Sequence, residues 1–265
     1  MNMQSVIKFF ALAAFLSLSL NLSARDSAAR SGQAGKGIEQ SWSYSGETAP
    51  EKWSTLSSAF STCGAGQAQS PVDIQGTRES EHLPLSFFYR TSILSIRRSN
   101  HGISLDMEPG GFMKMGSERF QLRSIDLHIP GEHTYLGRAA DMEIQLNHVD
   151  SNGNPVILAI PVNAGRRNNL MVKRIAHNLP QNNGGRRYNR QIGINTIFLL
   201  PTNRSHILYN GSLTTPPCKE PARWIVFKNP IEIPDLQLRK FTDAIGYNAR
   251  PVQPLNGRMI WTSIH

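Results

Sequence analysis

The sequence predicts a mainly β protein, a single domain around a large, mostly antiparallel, twisted sheet with few short helices. Three observations carry that expectation. Short apolar runs recur at 85–89, 93–96, 103–107, 120–129, 142–149, 156–162, 194–200, 207–209 and 224–227, with Pro, Gly or Asn clusters between them, as strands joined by turns require. Charged residues are only 18% of the chain, against 21 Gly and 16 Pro, a turn-rich composition. Helical periodicity is confined to 54–61, 170–178 and 235–245, the last entered from Pro234. A chain of 265 residues buries a substantial core without many disulfides. It shows no internal repeat, heptad or Gly-rich phosphate loop.

Taken in order, residues 1–24 hold Lys8 and then an apolar stretch broken by Ser17, Ser19 and Asn21. That stretch is too short and too polar for a membrane span and suits the apolar region of a secretory signal. Small-residue cleavage options lie at Ser23-Ala24 and Ser27-Ala28-Ala29. The expectation is an exported protein, periplasmic or extracellular, with no membrane span in the mature chain. Residues 25–40 (RDSAARSGQAGKGIEQ) are small and polar and read as a linker or loose arm. The domain is expected over 41–265. The chain has two cysteines, Cys63 and Cys218. In an exported chain an even pair suggests one disulfide; two unpaired buried thiols are the alternative.

The net charge is +9, and its placement matters more than its size. No Asp or Glu occurs between Ser151 and Lys219, a stretch holding Arg166, Arg167, Lys173, Arg174, Arg186, Arg187, Arg190, Arg204 and Lys219. Such a run attracts anions over a Debye length of about 8–10 Å. It is a candidate surface for a polyanion; solvated loop charge around the flexible-looking tip 181–185 is the plainer reading. Nucleic acid is not an expected partner.

The most informative run is 120–148. Asp126 and His128 stand two apart in an alternating segment, so on a strand both side chains leave one face. A turn signal at Pro130-Gly131 follows, then Glu132 and His133, then a second alternating run, Met142-Glu143-Ile144-Gln145-Leu146-Asn147-His148. Two strands presenting polar side chains at period two build either a metal cup or the wet face of a half-buried sheet.

Farther on, Tyr209-Asn210-Gly211-Ser212-Leu213-Thr214-Thr215-Pro216-Pro217-Cys218, with Glu220 and Trp224, resembles the α-class carbonic anhydrases. So do Asn248-Ala249-Arg250-Pro251-Val252-Gln253-Pro254-Leu255 with Arg258, and upstream Trp42-Ser43-Tyr44, Gln69-Ser70-Pro71-Val72-Asp73-Ile74 and Glu132-His133, all in the family's order. The resemblance spans about 41–262. It implies a large sheet with a conical cavity, a Cys63–Cys218 disulfide as in bacterial members, and CO2 and bicarbonate as substrate and product. It also implies zinc, held by three neutral histidines with a fourth position left to water, whose acidity the metal raises.

Here the three ligand positions fall on Asp126, His128 and Gln145, so one histidine of three remains. A carboxylate still ligates zinc but offsets part of its charge, and a carboxamide is a poor ligand beside imidazole. Weak metal occupancy is the expectation. Glu143 matches the residue that orients the third ligand, whereas Ser124 stands where the family usually has Gln. Thr214 and Glu132 match the pair that orients the zinc-bound hydroxide, with Thr215 beside them. Leu213, Ile157 and Trp224 match pocket walls, and Asn147 replaces an apolar residue of the CO2 pocket. The proton-relay histidine falls on Gly102, with His101 next door. A one-residue offset along a strand turns a side chain to the other face. The sequence therefore predicts a family fold with weak or lost CO2 hydration and a binding role, or else a divergent enzyme on an Asp/His/Gln metal site.

Overall fold

The structure, a computed structural model, describes residues 41–81 and 84–263. The signal and linker expectations lie outside the described residues. One sheet of 13 strands dominates. Its main path runs through ten strands: β1 (Arg78–Ser80), β2 (Ser92–Ser99), β3 (Gly102–Asp106), β4 (Glu118–His128), β5 (Met142–Val149), β6 (Pro155–Ala164), β7 (Arg186–Ile194), β8 (His206–Gly211), β9 (Ala222–Phe227) and β10 (Trp261–Ser263). Their spatial order is β7-β2-β3-β4-β5-β6-β9-β8-β10-β1. Along this path the β6–β9 and β10–β1 neighbours are parallel and the rest antiparallel. The mixed, mostly antiparallel sheet matches the expected class.

The two-residue period explains how the sheet packs. Ile125 and Leu127 of β4, Ile144 and Leu146 of β5, and Leu158 and Ile160 of β6 point to one face, where they join Phe120, Phe227 and Phe241 in the larger core. The intervening residues of β6, Ile157 and Ala159, pack on the other face with Val72, Tyr209 and Trp224. Each buried Leu, Ile or Phe side chain contributes about 1.5–3 kcal/mol of transfer free energy, so these two faces fix the register that places the polar residues between them. A slip of one residue would exchange the faces.

Two local expectations need correction. The run 194–200 is not a strand: Ile194 ends β7, and Thr196–Leu199 form a tight 3-10 turn. The Asn195 side chain accepts from the backbone of Ile197, and this cap competes with extension. Residues 54–61 do not form one helix. Helix Trp53–Leu56 stops where Ser57 turns extended and its hydroxyl accepts from Ala59. Helices Leu170–Ala176 and Asp235–Ile245 lie within the expected ranges. Strand β7 carries little apolar signal, because it is an edge strand bonded only to β2 and mostly exposed.

The cations of the acid-free run take different local partners. Arg174 donates to the Gly193 carbonyl, Arg204 covers the Phe87 ring, and Arg186, Arg187 and Arg190 lie exposed along β7.

Cys63 and Cys218 form a disulfide across a separation of 155 residues. It sits beside the fully buried Trp53, with Trp42 and Tyr44 packed around it. Closing so long a loop stabilises by roughly 4–5 kcal/mol in the chain-entropy picture, with less commonly realised. The C63S/C218S double variant is expected to lose about 2–4 kcal/mol of unfolding free energy in urea titrations. A loss below about 0.5 kcal/mol would show that the surrounding aromatic packing suffices.

Candidate functional site

Strands β4 and β5 present Ser124, Asp126 and His128 beside Glu143, Gln145 and Asn147 on the face opposite the larger core. The register sets Asp126 against Gln145, Ser124 against Asn147, and His128 against Glu143. Ser104 of β3 stands on the other side of Asp126, and Ala159 of β6 on the other side of Gln145. Ser104, Asp126, His128, Gln145 and Asn147 of this row floor a cavity of about 380 Å³, walled by Trp42, Tyr44, Leu213, Thr214, Thr215 and Trp224.

The polar side chains of the floor bond mainly to one another. Asp126 accepts from the Ser104 hydroxyl and, at 2.5 Å, from the Asn147 amide, which also donates to Ser124 at 3.2 Å. The Gln145 amide nitrogen donates to Glu132 at 2.7 Å and to Glu143 at 3.0 Å. The other Glu132 oxygen accepts the backbone N–H of Arg250 at 2.9 Å and lies 3.4 Å from His128 Nδ1. His128 Nδ1 donates to the Asn248 carbonyl at 2.9 Å, leaving Nε2 for the cavity. Burial works to lower the His128 pKa, but Glu132, the Asn248 carbonyl, Asp126 and Glu143 together outweigh it, so the net shift is upward.

Behind the floor, His133 takes Glu143 twice, through its backbone N–H and its Nδ1, both at 3.0 Å. Its Nε2 lies 2.7 Å from the Tyr209 hydroxyl, which donates to Ser70 at 3.0 Å. The Ser70 hydroxyl accepts the N–H of Ser212, and Trp224 donates to the Ser212 carbonyl. The wall residues Leu213, Thr214 and Thr215 thus hang between Ser212 and the disulfide at Cys218. On the opposite wall His101 stacks on Trp42, with ring centroids 3.6 Å apart, and bonds its backbone carbonyl at 2.9 Å.

A large sheet, a polar floor on two adjacent strands and a wall loop tied by a disulfide now stand together. The family model for eukaryotic-type carbonic anhydrase matches residues 48–264. The chain belongs to the α-class carbonic anhydrases. The carbonic anhydrase of Neisseria gonorrhoeae is 34% identical over 229 residues, covering 86% of this chain and 90% of that one. Among solved structures, the α-carbonic anhydrase of Thermovibrio ammonificans, in complex with the inhibitor sulfanilamide, superposes with a TM-score of 0.81 at 36% identity, covering 84% of this chain and 99% of that one. Dioscorin complexed with ascorbate superposes with a TM-score of 0.77 at 26% identity, covering 84% and 97%.

In this chain Asp126, His128, Gln145, Asn147, Ile157, Leu213, Thr214, Thr215, Trp224 and His101 all line the cavity. Glu132 and Glu143 lie buried against the floor side chains. The face argument against His101 does not apply, because residues 100 and 101 form the turn between β2 and β3 and no strand alternation governs them. Thr214 and Glu132 are not joined by a hydrogen bond among the described residues; one Glu132 oxygen is taken by Gln145 and the other by Arg250. The sequence places His133, Tyr209 and Asn248 in matching motifs without giving them a role, and Ser104 went unnoticed although its alternation sets it on the face of Asp126. Among the described residues, no group of three or more His, Cys, Asp or Glu is arranged to hold a metal ion.

Glu143 gives the site a measurable acid limb. Burial opposes its charge, yet His133 and the Gln145 amide hold its carboxyl down to about 2. An unfolded Glu ionises near about 4.3, so the folded state gains on the order of 3 kcal/mol above that pH and loses it as the pH falls through about 2. E143Q is expected to be less stable at neutral pH and to show a flatter loss of stability between about pH 5 and 3 in urea titrations. An unaltered acid slope would remove Glu143 from that role.

Proposed function

We propose that this protein is an exported member of the carbonic anhydrase family in which CO2 hydration is weak or lost and the cavity serves binding. The observation that carries this reading is the Gln145 amide, which donates to both Glu132 and Glu143 from the position of the third metal ligand. The implied zinc fits these residues poorly. The donor set is one imidazole nitrogen, one neutral amide oxygen and one carboxylate, which offsets part of a metal's charge. Zinc in this family calls for three neutral imidazoles.

Two further features support the reading. With Glu132 engaged by Gln145, the Thr214 hydroxyl lacks the partner that would orient a nucleophile. Asn147 adds an amide to the cavity beside Ile157 and Leu213, where an apolar gas gains least. Export accords with the disulfide, which persists in oxidising compartments. Among the described residues no helix is long and apolar enough to cross a membrane. The dioscorin relative, complexed with ascorbate, shows that this fold also accompanies small organic ligands.

Metal analysis with a CO2-hydration assay tests the proposal. Sub-stoichiometric zinc and turnover at least about a thousandfold below an active relative are expected, since several kcal/mol of charge stabilisation goes with the metal. Tightly held stoichiometric zinc with sulfonamide-sensitive turnover would establish the divergent-enzyme reading instead. The D126H/Q145H double variant is expected to gain zinc; no gain would mean that the cavity is remodelled beyond its ligands.

A second, anionic partner is favoured only at β7, where Arg186, Arg187 and Arg190 are exposed on an edge strand. Retention on heparin is expected to fall steeply with salt and to weaken in the R186S/R187S/R190S variant. Salt-insensitive or absent retention would remove this surface from consideration.

A further inference from the structure

We infer that the cavity floor takes a small organic cation, an ammonium or amidinium head group, held by Asp126 and Gln145. The inference rests on the metal-poor reading proposed above and names the ligand chemistry of the same cavity.

The first ground is unspent acceptors. Each Asp126 oxygen takes one donor, from Ser104 or Asn147, and a carboxylate oxygen accepts two. Gln145, only 4% exposed, spends its amide nitrogen on Glu132 and Glu143, so its carbonyl oxygen is the atom left for the cavity it lines. Gln145, a side chain more than nine-tenths buried, thus turns an acceptor without a partner among the described residues into the same space as a carboxylate. An acceptor so placed takes its donor from whatever occupies the cavity.

The second ground is charge. Asp126 lines the cavity, and Glu132 and Glu143 lie buried against its floor. Arg250 bonds Gln69 and the carbonyls of Ser70 and Cys63 and offsets Glu132 through space, and His133 offsets Glu143. Arg97, at the rim, is bonded through two nitrogens to Asp106 and acts on Asp126 only through space, so no guanidinium donates to Asp126 among the described residues. An anion would face like charge here, and a neutral polyol would leave that charge unmatched.

The third ground is size and lining. A volume of about 380 Å³ far exceeds a bare ion and suits a head group with a short organic body. Trp42, Tyr44 and Trp224 in the walls offer aromatic surface, which favours organic cations.

The test uses the full chain, its metal content measured on the same sample, and calorimetric titration with benzylammonium, its neutral isostere benzyl alcohol, and benzoate. Benzylammonium is expected to bind at one site at least about tenfold more tightly than benzyl alcohol, with benzoate weakest, as a charge-assisted hydrogen bond implies. D126N is expected to remove that about tenfold preference, and D150N, outside the cavity lining, to leave all three unchanged. Equal affinity for the ammonium and the alcohol, or tighter benzoate, overturns the inference on the unaltered chain alone, whatever the variants do. An unaltered preference in D126N overturns the assignment to this floor. Stoichiometric zinc in the sample would instead overturn the metal-poor reading beneath it, so the two failures are distinguishable.

Discussion

Two carboxylates buried at the cavity floor, Glu132 and Glu143, set the terms for everything around them. An ionised carboxylate out of water costs several kcal/mol unless hydrogen bonds replace its hydration. Here the donors come from three parts of the chain: the backbone of Arg250, the His133 backbone and ring, and the Gln145 amide, with the His128 ring beside Glu132 at 3.4 Å. Meeting that demand fixes the rotamer of Gln145 and the tilt of His133. Through Tyr209 and Ser70, it also fixes the height of the loop that carries Thr214. The cavity wall is thus positioned from below by a continuous polar chain, and from its far end by the Cys63–Cys218 disulfide.

The same demand accounts for how the unusual residues coexist. An aspartate at position 126 beside an apolar residue at 147 would be a carboxylate short of donors. With Asn147 and Ser104 flanking it, each of its oxygens is met, and Ser124 supplies Asn147 with a second acceptor. Gln145 completes the pattern, since a carboxamide places two N–H donors between two carboxylates, whereas a ring offers one in any direction. These side chains satisfy one another as a set, and replacing any one alone strands a buried partner.

What the sequence revealed and what it hid divide along physical lines. The sheet was legible because Ile125, Leu127, Ile144, Leu146, Leu158 and Ile160 keep a two-residue period that only a strand turns into a face. The placement of Asp126, His128 and Gln145 around one cavity followed from the same period. Strand β7 was hidden because an edge strand bonded on one side needs no apolar face, and Arg186 to Gln191 show none. The run 194–200 misled because apolarity says nothing about Asn195 capping a turn. His101 was hidden for a related reason: a turn residue obeys no alternation, and its stacking on Trp42 joins positions 59 apart in sequence. Least legible was the direction of the Gln145 amide, which depends on two carboxylates contributed by separate segments.

Membership of the family therefore settles the scaffold without settling the chemistry. The chain of His133, Tyr209, Ser70, Ser212 and Trp224 closes through protein atoms alone, so it shapes the cavity whether or not a metal sits on the floor. A fold that does not need its metal to stand can lose ligand histidines without collapse. What the floor then requires is balance for its carboxylates, and the chain supplies most of it: His133 offsets Glu143, and Arg250 with His128 offsets Glu132. Asp126 is the carboxylate that faces the open space, met by two neutral donors and by Arg97 only at a distance, so it is where a ligand's charge counts most.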